Sequence, residues 1–169
     1  LVAKEYLKNR QISEEVIKEF EIGLSLDSMD SLTKALTKKG YDILTLDKIG
    51  LSSNNHDLFI NRIMVPIHDI SGRVVAFSGR IYNKKSDHKY VNTKETDVFK
   101  KGTILYNYHR CKEVARRSKY VIVMEGYMDV FRAASVDIKN VVAIMGTALT
   151  NEQTNLLKKL SSNVYLCLD

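Results

Sequence analysis

Residues 121–126 read VIVMEG, four consecutive apolar residues followed at once by Glu125 and Gly126. Two further apolar runs follow later in the chain, at 141–145 and 164–168, and helical patterns separate the three runs. Uninterrupted apolar runs of this length are typical of strands buried on both faces of a parallel sheet. The three runs therefore predict a β-α-β-α-β unit, a small Rossmann-like domain, over residues 120–169.

The residues that follow these runs are the first candidates for chemistry, because ligands bind at the carboxyl ends of strands in parallel α/β sheets. Glu125 follows the first run and Asp169 follows the third. Two carboxylates on one rim could hold hard cations such as Mg²⁺, although acids also occupy strand ends simply because loops are solvated. Asp129 lies on the first turn of the next helix, where the helix dipole favours a carboxylate with or without a catalytic role.

The residues before 120 predict a different architecture. Residues 1–55 have the patterns of short helices, with Ser13 and Asp30 as candidate N-caps. Two β-rich runs at 63–67 and 73–77 flank turn residues and predict an antiparallel hairpin. The predicted fold is an α+β lobe over 1–119, helical in 1–55 and β-rich in 56–119, followed by the α/β domain over 120–169. Because the last residue directly follows a buried strand, we expect the natural protein to continue.

Positive charge is concentrated in one segment of the chain. The net charge is +6, but residues 62–120 contain 14 Lys and Arg against 5 Asp and Glu, so the other residues sum to −3. A one-sided positive field attracts polyanions, which favours nucleic acids or nucleotides as partners over a membrane, although a solvated surface gives the same composition. The cations between 62 and 101 are Arg62, Arg73, Arg80, Lys84, Lys85, Lys89, Lys94, Lys100 and Lys101.

Other site types find little support in the sequence. Cys111 and Cys167 are far apart and have no C-x-x-C spacing, so we interpret both as small apolar residues of the core. The four histidines have no metal-ligand spacing and are expected at packing or surface positions. No apolar run approaches the roughly 20 residues of a membrane span, and the first residues do not resemble a signal peptide. A protein of the cell interior with no membrane partner is expected.

Residues 123–130, VMEGYMDV, closely resemble the glutamate motif of the TOPRIM domain in the form found in bacterial DnaG-type primases. Upstream segments resemble consecutive motifs of the primase catalytic core, in the order of that family. These segments are RIMVPI at 62–67, FSGR at 77–80, KYVNT at 89–93, and FKKG at 99–102 with LY at 105–106. The resemblance continues through 142–150 and covers nearly the whole chain.

The resemblance implies roles for particular residues. Glu125 corresponds to the catalytic, metal-associated glutamate of the family, and Asp169 to the first aspartate of its Asp-x-Asp motif. Asp129 is added as a third candidate catalytic carboxylate. Together Glu125 and Asp169 would hold Mg²⁺ or Mn²⁺, with two ions expected. The residues implied for binding nucleic acid or nucleotide are Arg62, Arg80, Lys89, Asn92 and Lys101.

The implied activity is template-directed synthesis of short RNA primers on single-stranded DNA from ribonucleoside triphosphates, in the bacterial cytoplasm. In the family a zinc-binding domain precedes this region and a helicase-binding domain follows it. We therefore expect no zinc in this segment, and contact with the replicative helicase only through a C-terminal domain outside it. Two alternatives remain. The first is a TOPRIM nuclease or topoisomerase, which would share the metal-binding acids, although the motifs of 62–102 count against it. The second is a fragment with an incomplete metal site, which would bind single-stranded DNA without catalysis.

Overall fold

The structure, a computed structural model, describes residues 2–83, 89–146 and 148–168. The helices and strands of these residues are α1 (Val2–Asn9), α2 (Glu14–Glu19), β1 (Gly23–Leu24), α3 (Ser31–Lys38), α4 (Ile43–Lys48), β2 (Ser52–Ser53), β3 (His56–Asp57), β4 (Ile63–His68), β5 (Val74–Arg80), β6 (Tyr90–Asn92), a 3-10 turn (Lys101–Thr103), α5 (Tyr108–Ser118), β7 (Val121–Met124), α6 (Tyr127–Ala134), β8 (Val141–Ala143), α7 (Asn151–Leu160) and β9 (Val164–Cys167). Before α5 the order of helices and strands is irregular, and from α5 onward one helix and one strand alternate.

The first part of the chain forms an antiparallel sheet in the order β1-β4-β5-β6. The predicted hairpin is confirmed, since β4 and β5 pair from Ile63 opposite Arg80 to His68 opposite Val74. Asp69 organises the connection, because its carboxylate accepts hydrogen bonds from the backbone amides of Ser71 and Arg73. Together with helices α1 to α4, this sheet confirms the predicted α+β architecture.

The last part of the described chain forms a parallel sheet in the order β8-β7-β9, with α6 and α7 as the connections. Met124 is aligned with Ala143 on one side and with Cys167 on the other. The carboxyl ends of all three strands therefore lie on the same rim. The predicted α/β unit is confirmed.

The prediction that all three apolar runs are buried on both faces is wrong for β9. Strands β7 and β8 are largely buried, but every residue of Val164–Cys167 is exposed, with Tyr165 at 58% and Leu166 at 60%. The physical reason is that β9 has one strand neighbour among the described residues, and no described residue covers its faces. Within the described residues Cys167 is therefore exposed, contrary to expectation, whereas Cys111 is fully buried as predicted.

Two apolar clusters hold the described residues together. The first joins the N-terminal helices, the antiparallel sheet, α6 and β8, through residues such as Phe20, Val65 and Phe131. The second packs α5 and α7 against β7, with Cys111 and Val123 completely buried. Because the first cluster contains side chains from both parts of the chain, the two sheets share a core. The boundary between residues 119 and 120 stays a prediction.

His68 and His109 pack against each other, with their ring centroids 4.6 Å apart. The Nε2 atom of His68 lies 3.1 Å from the carboxylate of Glu21, which also pairs with Arg110. Burial lowers the pKa of both rings, to about 4 for His109. This arrangement agrees with a packing role, and among the described residues no group of three or more His, Cys, Asp and Glu side chains could hold a metal ion. No helix within the described ranges is long and apolar enough to cross a membrane.

The N-terminus of α3 is capped by a residue that the sequence did not indicate. Asp30 occupies the N-cap position, but its side chain makes no capping hydrogen bond and pairs with Lys34 instead. The buried carboxylate of Asp57 accepts hydrogen bonds from the backbone amides of Leu32 and Thr33, both at 2.8 Å. The expected capping role of Asp30 is therefore wrong, because a carboxylate on β3 satisfies the same amides through tertiary packing.

Asp57→Ala is expected to lower the free energy of unfolding by about 2 kcal/mol, because it leaves two helix-terminal amides and the Thr33 hydroxyl without their acceptor. Asp30→Ala is the matched control and should cost less than about 1 kcal/mol, since it removes only an exposed ion pair. Urea denaturation of both variants measures the difference. An equal loss in the two variants would contradict the assignment of Asp57 as the cap.

Candidate functional site

Glu125 lies at the carboxyl rim of the parallel sheet, in the turn between β7 and α6. Its backbone carbonyl accepts a hydrogen bond from the amide of Met145, 2.9 Å away, which fixes the turn to the end of β8. The side chain is partly exposed, and within the described ranges its carboxylate makes no hydrogen bond or ion pair. The carboxylate of Glu125 is therefore available to a ligand.

Asp129 supports the same turn. Its Oδ2 atom accepts a hydrogen bond from the backbone amide of Gly126 at 3.3 Å and closes the first turn of α6. The side chain is exposed to solvent, so its carboxylate can also reach a ligand at the rim. The geometry gives Asp129 a structural role beside Glu125, and a catalytic role stays a prediction.

Asp169, the second predicted metal ligand, lies outside the described residues. The oxygen ligands available for a hard cation in the described rim are the carboxylates of Glu125 and Asp129. Mg²⁺ commonly takes only one or two protein carboxylates and completes its shell with water and substrate phosphates. The carboxylate of Glu125, which has no partner among residues 2–83, 89–146 and 148–168, fits that kind of site.

The antiparallel sheet presents four polar or aromatic side chains on one face. Arg80 is opposite Tyr90, and Ser78 is opposite Asn92, in the pairing of β5 with β6. Residues two apart on a strand point to the same side, so all four share a face. The hydroxyl of Ser78 donates a hydrogen bond to Oδ1 of Asn92 at 2.6 Å. We refer to Ser78, Arg80, Tyr90 and Asn92 as the polar face.

Arg80 is the central cation of the polar face. It is only 7% exposed, its guanidinium lies 4.6 Å from the centroid of the Tyr90 ring, and its Nε donates a hydrogen bond to the Tyr6 hydroxyl at 2.7 Å. In the described part of the chain no carboxylate pairs with it. Because a buried charge is costly without an opposite charge, this guanidinium is suited to an anionic ligand.

Arg62 lies just before β4 and contacts Gly79, the β5 residue between Ser78 and Arg80. Its Nη1 donates to the carbonyl of Gly79 at 3.3 Å. Desolvation lowers the pKa of its guanidinium, an effect that the nearby Tyr127 opposes. A Cβ atom on Gly79 would lie 2.9 Å from Cδ of Arg62 and 2.8 Å from the ring of Phe59. Glycine at this position therefore leaves the space that the Arg62 side chain occupies.

Lys89 and Lys101 are more peripheral. Lys89 is exposed immediately before β6, and Lys101 is partly exposed in the 3-10 turn. That turn is attached to the start of α7, because the Thr150 hydroxyl donates to the carbonyl of Gly102 at 2.5 Å. No described contact joins either lysine to Arg80. Their place in a common groove stays a prediction.

Tyr127 connects the polar face with the turn that carries Glu125. It is buried, and its hydroxyl lies 3.2 Å from Oγ of Ser78. Its ring meets the Tyr90 ring edge-on, with centroids 5.6 Å apart, and burial raises the pKa of its hydroxyl to about 12. Tyr127 is two residues from Glu125, so it links the polar face to the turn that carries Glu125. That the Glu125 carboxylate and Arg80 act in one site stays a prediction.

Sequence reasoning missed Tyr6, Ser78 and Tyr127 as parts of this site. The pairs that they form are separated by 74 positions for Arg80 with Tyr6 and by 49 positions for Ser78 with Tyr127. Tyr6 lies in a short amphipathic helix and gives no local signal of contact with a cation. Ser78 and Tyr127 do fall inside two of the quoted motifs, at 77–80 and 123–130, and this position was the available indication.

The comparison with protein families decides the membership of the chain. The family described as DNA primase catalytic core, N-terminal domain, matches residues 2–112. The chain belongs to this family. A second family, described as Toprim-like, matches residues 122–169 of this primase-family chain. The resemblance found in the sequence motifs is confirmed over both parts.

Curated relatives of this primase-family chain are DNA primases of bacteria. The DNA primase of Listeria monocytogenes is 37% identical over 97% of the chain, and that of Staphylococcus epidermidis is 40% identical over 99%. The chain covers 27% and 29% of these two relatives. It therefore spans less than a third of their length.

Solved primase structures share the fold. The RNA polymerase domain of Mycobacterium tuberculosis primase DnaG has a TM-score of 0.90 at 29% identity, with 99% of this chain and 58% of that chain covered. The Escherichia coli primase catalytic core has a TM-score of 0.89 at 34% identity, covering 98% and 54%. A DnaG primase catalytic domain bound to single-stranded DNA has a TM-score of 0.87 at 35% identity, covering 98% and 53%.

Proposed function

We propose that this chain is part of a DNA primase that synthesises short RNA primers on a single-stranded DNA template. The observation that carries the proposal is the buried guanidinium of Arg80, which has no described counter-ion and is connected through Tyr127 to the turn of Glu125. A cation suited to a phosphate, and a carboxylate that has no described partner and is suited to a metal ion, match two needs of nucleotidyl transfer.

The polar face suits phosphate groups of the template or of a ribonucleoside triphosphate. Guanidinium groups bind phosphate oxygens in a forked geometry, and a partly desolvated site strengthens that interaction. Arg80 would make the central contact, with Arg62 and Asn92 beside it and Lys89 and Lys101 at the periphery. The single-stranded DNA in a related DnaG catalytic domain supports this class of ligand.

Glu125 and Asp169 would hold the metal ions, and Asp129 would keep the Glu125 turn in place. Mg²⁺ or Mn²⁺ ions, two in the proposed site, supply neutralisation of phosphate charge and a lower pKa of the attacking hydroxyl when bound. The carboxylate of Glu125 fits such ions because it is an oxygen donor without another described partner.

The proposed reaction joins the 3′-oxygen of one nucleotide to the α-phosphorus of the next. The bond from that phosphorus to the bridging oxygen of the β-phosphate breaks, pyrophosphate leaves with the electron pair, and the hydroxyl proton passes to solvent. Arg80 and Arg62 would hold the phosphates in line and stabilise the charge that develops on their oxygens.

Contact with the replicative helicase would need a C-terminal domain outside this chain. The bacterial relatives favour the cytoplasm as the compartment.

The test uses the full-length natural protein with a single-stranded template, labelled ribonucleotides, and Mg²⁺ or Mn²⁺. We expect short RNA products that disappear when the metal is chelated. Cleavage or relaxation of supercoiled DNA without RNA synthesis would instead identify a TOPRIM nuclease or topoisomerase. DNA binding without any reaction would identify a non-catalytic binding protein, and both outcomes would reject the proposal.

A further inference from the structure

We propose that Tyr6 of α1 is a positioning residue for Arg80, and that its hydroxyl sets the direction in which the guanidinium meets a phosphate. This inference rests on the proposed function, because it assumes that Arg80 contacts an anionic ligand. Tyr6 and Arg80 are 74 positions apart in the sequence, and their hydrogen bond of 2.7 Å brings the first helix to the end of β5.

The first argument concerns the atoms of the hydrogen bond. Only Nε of Arg80 donates to the Tyr6 hydroxyl, and among the described residues its two terminal nitrogens have no hydrogen-bond partner. The guanidinium group is planar, so an anchored Nε fixes the plane and the direction of both terminal nitrogens. A forked contact with phosphate needs those nitrogens to be free and correctly oriented.

The second argument concerns the two aromatic rings around the guanidinium. The Tyr90 ring lies 4.6 Å from the guanidinium carbon and the Tyr6 ring 5.6 Å from it. Tyr6 is also in contact with Arg10, whose guanidinium carbon is 5.5 Å from the ring centroid. The rings confine the side chain of Arg80 through non-directional contacts. Among the described residues the Tyr6 hydroxyl is the one hydrogen-bond acceptor of the guanidinium, and a hydrogen bond adds the directionality that these contacts lack.

Tyr6→Phe isolates the hydroxyl, because it removes the acceptor and keeps the ring. We expect the dissociation constant for a single-stranded DNA oligonucleotide to rise roughly three- to tenfold in the full-length protein, the range expected for a hydrogen bond that orients a charged group. The KM for ribonucleotides should rise by a similar factor while kcat stays within about twofold, since the metal site is untouched. Tyr82→Phe is the matched control. It removes the 2.6 Å hydrogen bond from another tyrosine hydroxyl to Asn61, and it should change neither constant more than about twofold.

A double-mutant cycle with Arg80→Ala separates positioning from a general structural effect. In the Arg80→Ala background, Tyr6→Phe should have no further effect on DNA binding, because the group that it orients is gone. An undiminished further loss in that background would overturn the inference, as would unchanged binding by Tyr6→Phe in the native background. If Arg80→Ala binds DNA normally, the assignment of Arg80 in the proposed function fails and this inference fails with it. If Arg80→Ala weakens binding and Tyr6→Phe does not, only the inference on Tyr6 fails.

Discussion

Glu125→Gln is expected to abolish primer synthesis, with a loss of at least about 100-fold under saturating nucleotide. Glutamine keeps the size and the hydrogen-bonding capacity of the side chain but lacks the negative charge that would hold Mg²⁺ or Mn²⁺. The loss should be seen in kcat, because charge neutralisation is needed most in the transition state. RNA product formation on a single-stranded template measures the effect.

DNA binding by Glu125→Gln should respond in the opposite direction. The lost charge also repelled phosphates, so affinity for single-stranded DNA should stay the same or rise slightly at low salt. Glu152→Gln is the matched control, since Glu152 is an exposed acid of α7 without a proposed role, and it should retain normal synthesis. Near-normal synthesis by Glu125→Gln would refute the catalytic role of Glu125.

Arg80→Ala is expected to weaken binding of single-stranded DNA by roughly ten- to 100-fold, because it removes the proposed charge-assisted contact with phosphate from a partly desolvated site. The slope of log affinity against log salt concentration should become less steep by about 0.7, the value for one phosphate contact on a single strand. Synthesis should partly recover at high substrate concentration, since the proposed metal site does not include Arg80. Fluorescence anisotropy at several salt concentrations measures affinity and slope together.

Three further variants test whether the effect of Arg80→Ala depends on the position and geometry of its charge. Arg80→Lys keeps the charge but loses the forked geometry, so its affinity should fall between those of the native protein and Arg80→Ala. Lys89→Ala removes an exposed cation and should weaken binding only about two- to fivefold. Lys159→Ala, on the exposed end of α7, controls for the loss of a single positive charge. If Lys159→Ala weakens binding as much as Arg80→Ala, the effect is one of net charge and the polar face has no special role.

Local patterns in the sequence were sufficient for the β4–β5 hairpin, the three parallel strands and the rim that carries Glu125, but they did not indicate β1 or β2 within the segment expected to be helical. Three apolar runs predicted three parallel strands, because burial on both faces of a sheet demands uninterrupted apolar residues. The residue after a strand must lie at its carboxyl end, so the position of Glu125 followed from the chain alone. The hairpin of β4 and β5 followed in the same way from turn residues between two β-rich runs.

Tertiary structure decided the features that depend on residues distant in the chain. The capping of α3 by Asp57, the exposure of β9 and the contact of Arg80 with Tyr6 all depend on which elements pack together. Periodicity reports which face of an element is apolar, but it does not report which partner covers that face or satisfies a polar group. The sequence by itself determined the parallel strands and the acid at their rim. Only packing determined how the buried cation is held, because its described partners, Tyr6 and Tyr90, come from two segments distant from each other in the chain.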